Sequence, residues 1–430
     1  MRGSYQLESF TENRVAEVTR LHSQVDLFFE KEYEMYLKFG LREGMKILDC
    51  GSGPGYLLRN LLNKMPGCDA TALEIDPFLF SVLTENSISG DKQLYRPVNA
   101  SIYETGFAAN SFDFVITRLV IEHLEEPLRA LYEVNRILRP GGKLVIVSND
   151  FAYHLLTYPV IPQLDEMYNA YCRSRSSEGG NPFIGRILPV FLENSNFEKI
   201  NLEIITAHSR LLGDETFLKA ENVNISKSLV EAGFLSRNTL AELVEKWFEM
   251  VKDPYHVFYR QLFVVSGEKS REDSPHIYSQ RVEKDLKRTL NPELVDEPKM
   301  RLDIQRGKFK NLINKYQESP RVKGLIQFAE SQNATTQKSD DDSQKFLSPI
   351  SKTRDLNEIE NILQTVWKAI LKNNSLAIDD NYFDIGGDSV LIPEIVARLS
   401  NEYSIQLRIL DIFDYPSIRQ LADYIHKNHL

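Results

Sequence analysis

Residues that could do chemistry cluster first at a glycine-rich turn, DCGSGPG at 49–55, where an apolar strand is predicted to run into a helix. Glycine lets the backbone approach a ligand closely and adopt conformations that other residues avoid. The spacing differs from the GxGxxG of a dinucleotide site, because Tyr56 stands where the third glycine would be. Asp49 beside the turn would repel a pyrophosphate and attract an ammonium group. On its own, such a turn is equally compatible with a purely structural role.

Two acidic residues lie where the next predicted strand turns into a helix, in the run ATALEIDPFLFSVL. Glu74 ends that strand, and a carboxylate at this place can accept both hydroxyls of a ribose laid across the sheet. The alternative is an ordinary solvated acid. Asp76 precedes Pro77 and is better explained as the cap of a helix.

Histidines supply the candidate proton acceptors. His123 follows the predicted strand SFDFVITR, so it falls at the carboxyl edge of the sheet, and Glu122 is its neighbour. A histidine that only packs against the next helix is an equally good explanation. Tyr153 and His154, together with His208, are second-line candidates. The histidines expected to be exposed are His276, His426 and His429.

Near the carboxyl terminus, the run DDNYFDIGGDSVLIPEIVARL places a turn rich in glycine and aspartate before a predicted helix beginning at Ser389. A hydroxyl at a helix N-terminus is a favourable place for a phosphate diester, because the free N–H groups and the helix dipole favour negative charge. An isolated Asp-Ser pair would by default be an ordinary helix cap.

The elements that must position these residues alternate between strand and helix. Residues 11–39 predict an amphipathic helix, and strands and helices then alternate from Met45 to about 150, which implies a parallel sheet covered on both faces. Residues 150–185 are rich in aromatics, proline and glycine, which favours a lid over a pocket rather than a core element. Late strands near EKINLEII and HVFYRQLFVVSG, with a helix between them, would complete the sheet.

Composition excludes several functions. A net charge of -10 argues against nucleic-acid and membrane-surface binding, both of which favour basic patches. The three cysteines form no CxxC pair, so we expect a reduced, cytoplasmic protein without a structural metal. No apolar run is long enough to span a membrane.

Residues 40–150 resemble the class I methyltransferases that use S-adenosylmethionine, through the glycine turn, Glu74 and the run NSFDFVITRLVIEHLEEPLRALYEVNRILRPGGKLVI. The resemblance implies a Rossmann-like α/β sheet with an N-terminal helix and lid insertions. It also implies roles for particular residues. The methionine end of the donor would be held by Asp49, Gly51, Gly53 and Gly55, the ribose by Glu74, and the adenine beside Ser101 and Ile102, with Arg118 and Leu119 facing the sulfonium. Relatives often have aspartate where this chain has Ser101.

Residues 355–428 resemble the carrier proteins of nonribosomal peptide and polyketide synthases, on GGDS and on the helices LNEIENILQTVWKAIL and IQLRILDIFDYPSIRQLADYI. Val390 replaces the more usual leucine. The resemblance implies a four-helix bundle with 4'-phosphopantetheine on Ser389. We therefore predict a methyltransferase at 1–269, a charged helical connector and flexible linker at 270–350, and a carrier at 351–430. The predicted partners are a phosphopantetheinyl transferase, neighbouring synthase domains and the carrier-tethered intermediate.

The opening SYQLESFTENRVAEVTRLHSQVDLFFEKEYEMYLKFGLREGMKILDCGSGPGY resembles the O-methyltransferase domains of bacterial polyketide and mixed peptide–polyketide synthases. Methylation of a hydroxyl or enol oxygen of a tethered intermediate is therefore the predicted activity. The first alternative is methylation of the α-carbon of a β-keto thioester, followed by methylation of a tethered aminoacyl nitrogen. A catalytically dead scaffold is disfavoured by the intact glycine turn and Glu74, and an oxidoreductase by the missing GxGxxG.

Overall fold

The protein is described by a computed structural model. It describes residues 14–220, 225–271, 283, 355–383, 385, 387 and 391–428. The predicted connector and linker lie almost entirely outside this part of the chain, as does Ser389.

The amino-terminal part alternates between helices and strands, as the hydrophobic pattern predicts. Its first elements are α1 (Arg14–Lys38), β1 (Lys46–Cys50), α2 (Tyr56–Lys64), β2 (Asp69–Glu74), α3 (Pro77–Asn86), β3 (Ile88–Ser89), β4 (Lys92–Gln93), β5 (Arg96–Asn99), β6 (Phe112–Arg118), α4 (Pro127–Ile137) and β7 (Leu138–Ser148). The later elements are β8 (Leu155–Tyr158), α5 (Pro162–Ser177), α6 (Leu188–Glu193), β9 (Phe197–His208), α7 (Ser209–Leu212), α8 (Asp214–Ala220), α9 (Ile225–Glu231), α10 (Arg237–Lys252) and β10 (Val257–Lys269).

One sheet organises this domain, in the strand order β5-β2-β1-β6-β7-β10-β8, with β9 also paired to β10. Strands β5, β2, β1, β6 and β7 run parallel, and β10 is antiparallel to all three of its partners. The predicted Rossmann-like α/β fold is therefore confirmed. The carboxyl ends of β1, β2 and β6 meet at one edge, where such sheets bind ligands.

Successive residues of a strand face opposite layers of the domain. Ile47 of β1 packs into a core shared with α1, α2 and α10, whereas the next residue, Leu48, packs into a second core with α4. Both side chains are fully buried. Helices thus cover the two faces of the sheet, as the unbroken apolar character of its strands requires.

The segment 150–185 is more regular than the lid predicted from its composition. It contains a short 3₁₀ turn (Phe151–Tyr153), β8 and the sixteen-residue helix α5. Leu164, Met167 and Ala170 of α5 belong to the larger core. Helix α5 therefore combines the predicted lid with a core element. Its residues Met167, Tyr168 and Tyr171 border a pocket, while Leu164 and Ala170 pack in the core.

The carboxyl-terminal domain has four described helices: α11 (Leu356–Leu371), α12 (Ile392–Tyr403), α13 (Ile409–Asp414) and α14 (Ile418–Asn428). They surround a separate core, in which Trp367 packs edge-on against Tyr382 with ring centroids 4.9 Å apart. The predicted helical carrier architecture is confirmed.

All three cysteines are buried and unpaired with one another. Within the described ranges, no helix is long and apolar enough to cross a membrane.

Candidate active site

A cavity of about 250 Å³ opens at the carboxyl edge of the sheet. Its floor is formed by the glycine turn and the ends of β2 and β6, and α1 and the segment after β7 cover it. Ten of the thirteen predicted methyltransferase-site residues line this cavity: Asp49, Gly51, Gly53, Glu74, Ser101, Ile102, Arg118, Leu119, His123 and His154. The structure thus brings residues from six separate segments to one place.

The glycines of the turn differ in what they do. All three have positive φ, with Gly53 at 54°. A Cβ at Gly53 would meet open space, whereas one at Gly55 would lie 2.2 Å from the hydroxyl of Tyr95. Gly53 therefore leaves room at the cavity, while Gly55, predicted to bind a cofactor, is outside the cavity lining and is needed for packing.

Asp49 is buried at the end of β1, with 1% of its surface exposed. Its Oδ2 accepts a 2.6 Å hydrogen bond from the Ser52 hydroxyl, and its Oδ1 has no hydrogen-bond partner. Burial raises the pKa of this carboxyl to about 7. A buried acceptor without a donor, on a residue that borders a cavity, is suited to a cationic or N–H-bearing ligand.

Glu74 is held by backbone donors. Its Oε2 accepts the Gly53 N–H at 2.8 Å, and its Oε1 accepts the N–H groups of Ile75 and Asp76 at 2.9 and 2.8 Å. A carboxylate has about four lone-pair sites, so this geometry leaves one of them, on Oε2. The expectation that Glu74 accepts both hydroxyls of a ribose is therefore met only if the Gly53 amide moves. Asp76 caps α3, as predicted, by accepting from Phe78 and Leu79 N–H.

The guanidinium of Arg118 is directed toward α1 rather than along the cavity. Its Nε donates to Glu32 at 2.9 and 3.0 Å, and its Nη2 donates to the Gln24 carbonyl at 2.7 Å. The neighbouring Leu119 has a φ of 55°. Strand β6 ends at Arg118, directly before this residue.

Ser101 and Ile102, which follow β5, also border the cavity. The Ser101 hydroxyl accepts the Tyr103 N–H at 3.2 Å, so it stabilises the start of a local turn.

Glu122 and His123 occupy one 3₁₀ turn (Ile121–His123) but point in different directions. His123 borders the cavity, and its pKa is lowered to about 3 by burial and by the positive charges of Arg175 and Arg20. Glu122 lies behind the cavity wall, where it accepts from the Ser148 hydroxyl at 2.9 Å and from the Asn149 side-chain amide at 3.1 Å. Glu122, predicted as a catalytic residue, therefore does not border the cavity. It contacts Asn149, which does.

His154 borders the cavity and is 5% exposed. Its ring stacks on Phe151 with centroids 4.4 Å apart and meets Tyr168 edge-on at 5.1 Å. The side chain of Tyr153 lies outside the described part of the structure, so its proposed role stays a prediction. His208 caps α7 by accepting the Arg210 N–H, away from the cavity.

Sequence reasoning missed several cavity residues. Asn149 follows β7 at the same sheet edge as the other strand-end residues, so the rule that located Asp49 and Glu74 could have found it. Tyr168 and Tyr171 come from α5, and only their helical spacing places them on one face.

In the carboxyl-terminal domain, the turn before Ser389 is anchored to the core. The N–H of Gly387 donates to the Tyr382 carbonyl at 2.9 Å, and a Cβ at Gly387 would lie 2.3 Å from that oxygen. The second glycine of GGDS is therefore required for close packing. Ser389 itself lies outside the described residues, just ahead of α12.

Both the amino-terminal and the carboxyl-terminal domains match known protein families. Residues 48–146 match the family described as a methyltransferase domain, and residues 361–425 match the family of the phosphopantetheine attachment site. The chain is 30% identical over 156 residues to Methyltransferase str2 of Strobilurus tenacellus, covering 36% of this chain and 54% of that protein.

Synthases match over shorter stretches. Bacitracin synthase 2 of Bacillus licheniformis is 41% identical over 71 residues, which are 16% of this chain and 3% of the synthase. Polyketide synthase PksN of Bacillus subtilis (strain 168) is 33% identical over 70 residues, 16% of this chain and 1% of that protein. Among solved structures, phospholethanolamine N-methyltransferase 2 of Haemonchus contortus is 18% identical with a TM-score of 0.39, covering 58% of this chain and 56% of that one.

The chain joins a methyltransferase domain to a phosphopantetheine-attachment domain of the kind found in peptide and polyketide synthases. It spans about half of the methyltransferase relative and only a small part of each synthase.

Proposed function

We propose that the amino-terminal domain transfers a methyl group from S-adenosylmethionine to an oxygen of an intermediate tethered to a synthase carrier. The carrier domain of this chain would hold such an intermediate as a thioester of 4'-phosphopantetheine on Ser389. One observation carries the proposal. A single cavity is lined by the glycine turn, by the carboxylates of Asp49 and Glu74 and by two imidazoles, in a chain that also has a carrier domain.

The donor half of the cavity fits S-adenosylmethionine. Oδ1 of Asp49 is a buried acceptor that lacks a donor, which suits the ammonium of the methionine moiety. The missing side chain of Gly53 leaves open space in which the donor can approach the backbone. The remaining lone pair of Glu74 Oε2 can accept a hydrogen bond from a ribose hydroxyl. The bound sulfonium supplies an electrophilic methyl group. We propose that the donor is contacted by the residues predicted from the sequence, except Gly55: Asp49, Gly51, Gly53, Glu74, Ser101, Ile102, Arg118 and Leu119.

The acceptor half contains the groups needed to orient and deprotonate a hydroxyl. Methyl transfer is an in-line displacement, so holding the acceptor oxygen against the methyl carbon provides much of the acceleration. A neutral imidazole can take the acceptor proton as the new bond forms. His123 and His154 both border the cavity, and burial keeps His123 neutral because it lowers the pKa to about 3.

Oxygen is the proposed acceptor because the amino-terminal region resembles synthase O-methyltransferase domains. The contacts of the cavity are equally compatible with an enolate that reacts at its α-carbon, so methylation of carbon is the second candidate. Methylation of a tethered amine is the third.

Partners follow from the carrier domain. We propose that a phosphopantetheinyl transferase modifies Ser389 and that neighbouring synthase domains load and remove the intermediate. We also propose the division into a methyltransferase at 1–269, a connector at 270–350 and a carrier at 351–430.

The test uses the whole chain, loaded on its carrier with a panel of β-hydroxyacyl, β-ketoacyl and aminoacyl groups. Donor with a ¹³C-methyl group is added, and the product is released and examined by mass spectrometry and NMR. A methoxy carbon signal supports the proposal, whereas a methyl coupled to a carbon-bound proton or attached to nitrogen identifies one of the alternatives. Donor binding without any transfer would indicate a scaffold.

A further inference from the structure

A short chain of hydrogen bonds connects a buried carboxylate to an imidazole at the cavity. Glu122, 2% exposed, accepts from Nδ2 of Asn149 at 3.1 Å. Oδ1 of the same Asn149 lies 3.1 Å from Nδ1 of His154. Asn149 therefore links the two side chains directly.

The polarity of this chain follows from the chemistry of its first member. The atom of Asn149 that faces Glu122 is the amide nitrogen, which donates to Oε1, while the Ser148 hydroxyl donates to Oε2. Burial raises the pKa of Glu122, and these donors act against that shift by favouring the ionised form, which only accepts hydrogen bonds. The oxygen then faces His154, and it can only accept. Nδ1 of a neutral His154 consequently carries the proton, and the lone pair is on Nε2.

Glu122 is itself held in place. Its other oxygen accepts a 2.9 Å hydrogen bond from the Ser148 hydroxyl, a residue without exposed surface. The imidazole is held by Phe151, which stacks on it, and by Tyr168, which meets it edge-on. Both ends of the chain are thus restrained, so the tautomer and the ring plane are restrained with them.

The surroundings of the two cavity histidines differ in sign. His123 is close to the cationic Arg175 and Arg20, which oppose a further positive charge. His154 is connected through one amide to a carboxylate, which favours the imidazolium formed when the ring accepts a proton.

We infer that Asn149 is a positioning residue that holds His154, rather than His123, as the proton acceptor of the methyl transfer; this rests on the proposed function. As the bond between the acceptor oxygen and the methyl carbon forms, the bond between that carbon and the sulfonium sulfur breaks and leaves a neutral thioether. The hydroxyl proton moves to Nε2 of His154, and the imidazolium later releases it to solvent.

The activity test compares His154→Ala with His123→Asn. We expect His154→Ala to lose roughly 10²–10⁴-fold in kcat, the range for a positioned general base, and His123→Asn to lose far less. Donor affinity, measured by calorimetry, should be unchanged in His154→Ala. The reverse ranking of the two variants would overturn the assignment of His154.

The positioning role of Asn149 is tested by exchanging the polar groups. In Asn149→Asp, two carboxylates face each other, and we expect kcat to fall roughly 10- to 100-fold, by analogy with partners that orient metal-bound histidines. In Glu122→Gln/Asn149→Asp, the glutamine amide can donate to the new carboxylate, which still accepts from Nδ1. Activity should then recover in large part. A double variant no better than Asn149→Asp would contradict the inference.

A readout independent of activity is the tautomer of His154. Nitrogen-15 NMR of the histidine-labelled whole chain, without substrate, should show a proton on Nδ1 in the wild type and a mixture of tautomers in Asn149→Ala. A proton on Nε2 in the wild type would refute the positioning role even if methyl transfer occurs. Failure of the proposed function differs from this, because the wild type would then bind no donor or transfer no methyl group.

Discussion

Arg118 at the end of β6 and Glu32 in the middle of α1 form a buried ion pair, with 2.9 Å between Arg118 Nε and Glu32 Oε2 and side-chain exposures of 8% and 0%. The Tyr36 hydroxyl also donates to Glu32, at 3.1 Å. Because α1 covers the cavity, this ion pair fixes α1 to β6, the end of which forms part of the cavity floor.

Removing one member of this pair should destabilise the domain. Glu32→Gln leaves Arg118 buried without its counter-charge, a change that typically costs about 3–5 kcal/mol. The matched control is Glu30→Gln, also in α1, which breaks the exposed pair with Lys64 and should cost less than about 1 kcal/mol. Urea unfolding of the two variants measures both values. Equal losses would show that the buried pair has no special role in holding α1.

Gly53 should be required for donor binding beyond its effect on stability. Gly53→Ala places a side chain at a φ of 54°, and Gly106→Ala does so at 74°, with open space around both positions. Each should therefore cost about 1–2 kcal/mol of stability, but only Gly53 borders the cavity. Calorimetry with S-adenosylmethionine should show a loss of affinity in Gly53→Ala alone. Similar affinities in the two variants would argue against the site.

Glu74→Ala should weaken donor binding roughly 10- to 100-fold, since hydrogen bonds to a charged group are worth about 1.5–3 kcal/mol. Part of the loss arises because the Gly53 N–H loses its acceptor. Glu74→Gln keeps one acceptor oxygen, so its donor affinity should lie between those of the wild type and Glu74→Ala. Wild-type affinity in a folded Glu74→Ala protein would remove Glu74 from the site.

The affinity for S-adenosylmethionine should increase as the pH rises to about 7. The pKa of Asp49 is raised to about 7 by burial, so its carboxyl is largely protonated at pH 6 and has to lose a proton to bind an ammonium group. Asp49→Asn should abolish this rise, and calorimetry between pH 6 and 8 measures both proteins. A rise of the same size in Asp49→Asn would assign it to another group.

The same shift predicts the sign of a stability effect. Because the folded-state pKa exceeds the unfolded value, the contribution of Asp49 to stability is greatest below pH 3.8 and is lost as pH rises through about 7. Without donor, Asp49→Asn should therefore gain stability relative to wild type between pH 5 and 8.

Ser389 should be the only attachment point for phosphopantetheine. A phosphopantetheinyl transferase with coenzyme A should raise the mass of the wild-type chain and of the control Ser375→Ala, which alters an exposed serine of the same domain. Ser389→Ala should keep its original mass. Modification of Ser389→Ala would place the attachment elsewhere.

The sequence alone determined the features that depend on neighbours along the chain. Alternating apolar segments predicted β1, α2, β2 and a parallel sheet covered on both faces, and Pro77 after Asp76 predicted the capped start of α3. The glycine turn, Glu74 and the GGDS run identified the two domains through their resemblance to known families, which have particular residue types at short, fixed spacing.

Tertiary structure decided what depends on contacts between distant segments. Gly55 packs against Tyr95, Arg118 turns toward Glu32, and Asn149 joins Glu122 to His154. None of these pairings leaves a periodic or spacing signal, since each depends on which way a side chain faces after the sheet and its covering helices have packed. The sequence places residues at the edge of a sheet, but only the packed layers determine which of them face the cavity and which support it from behind.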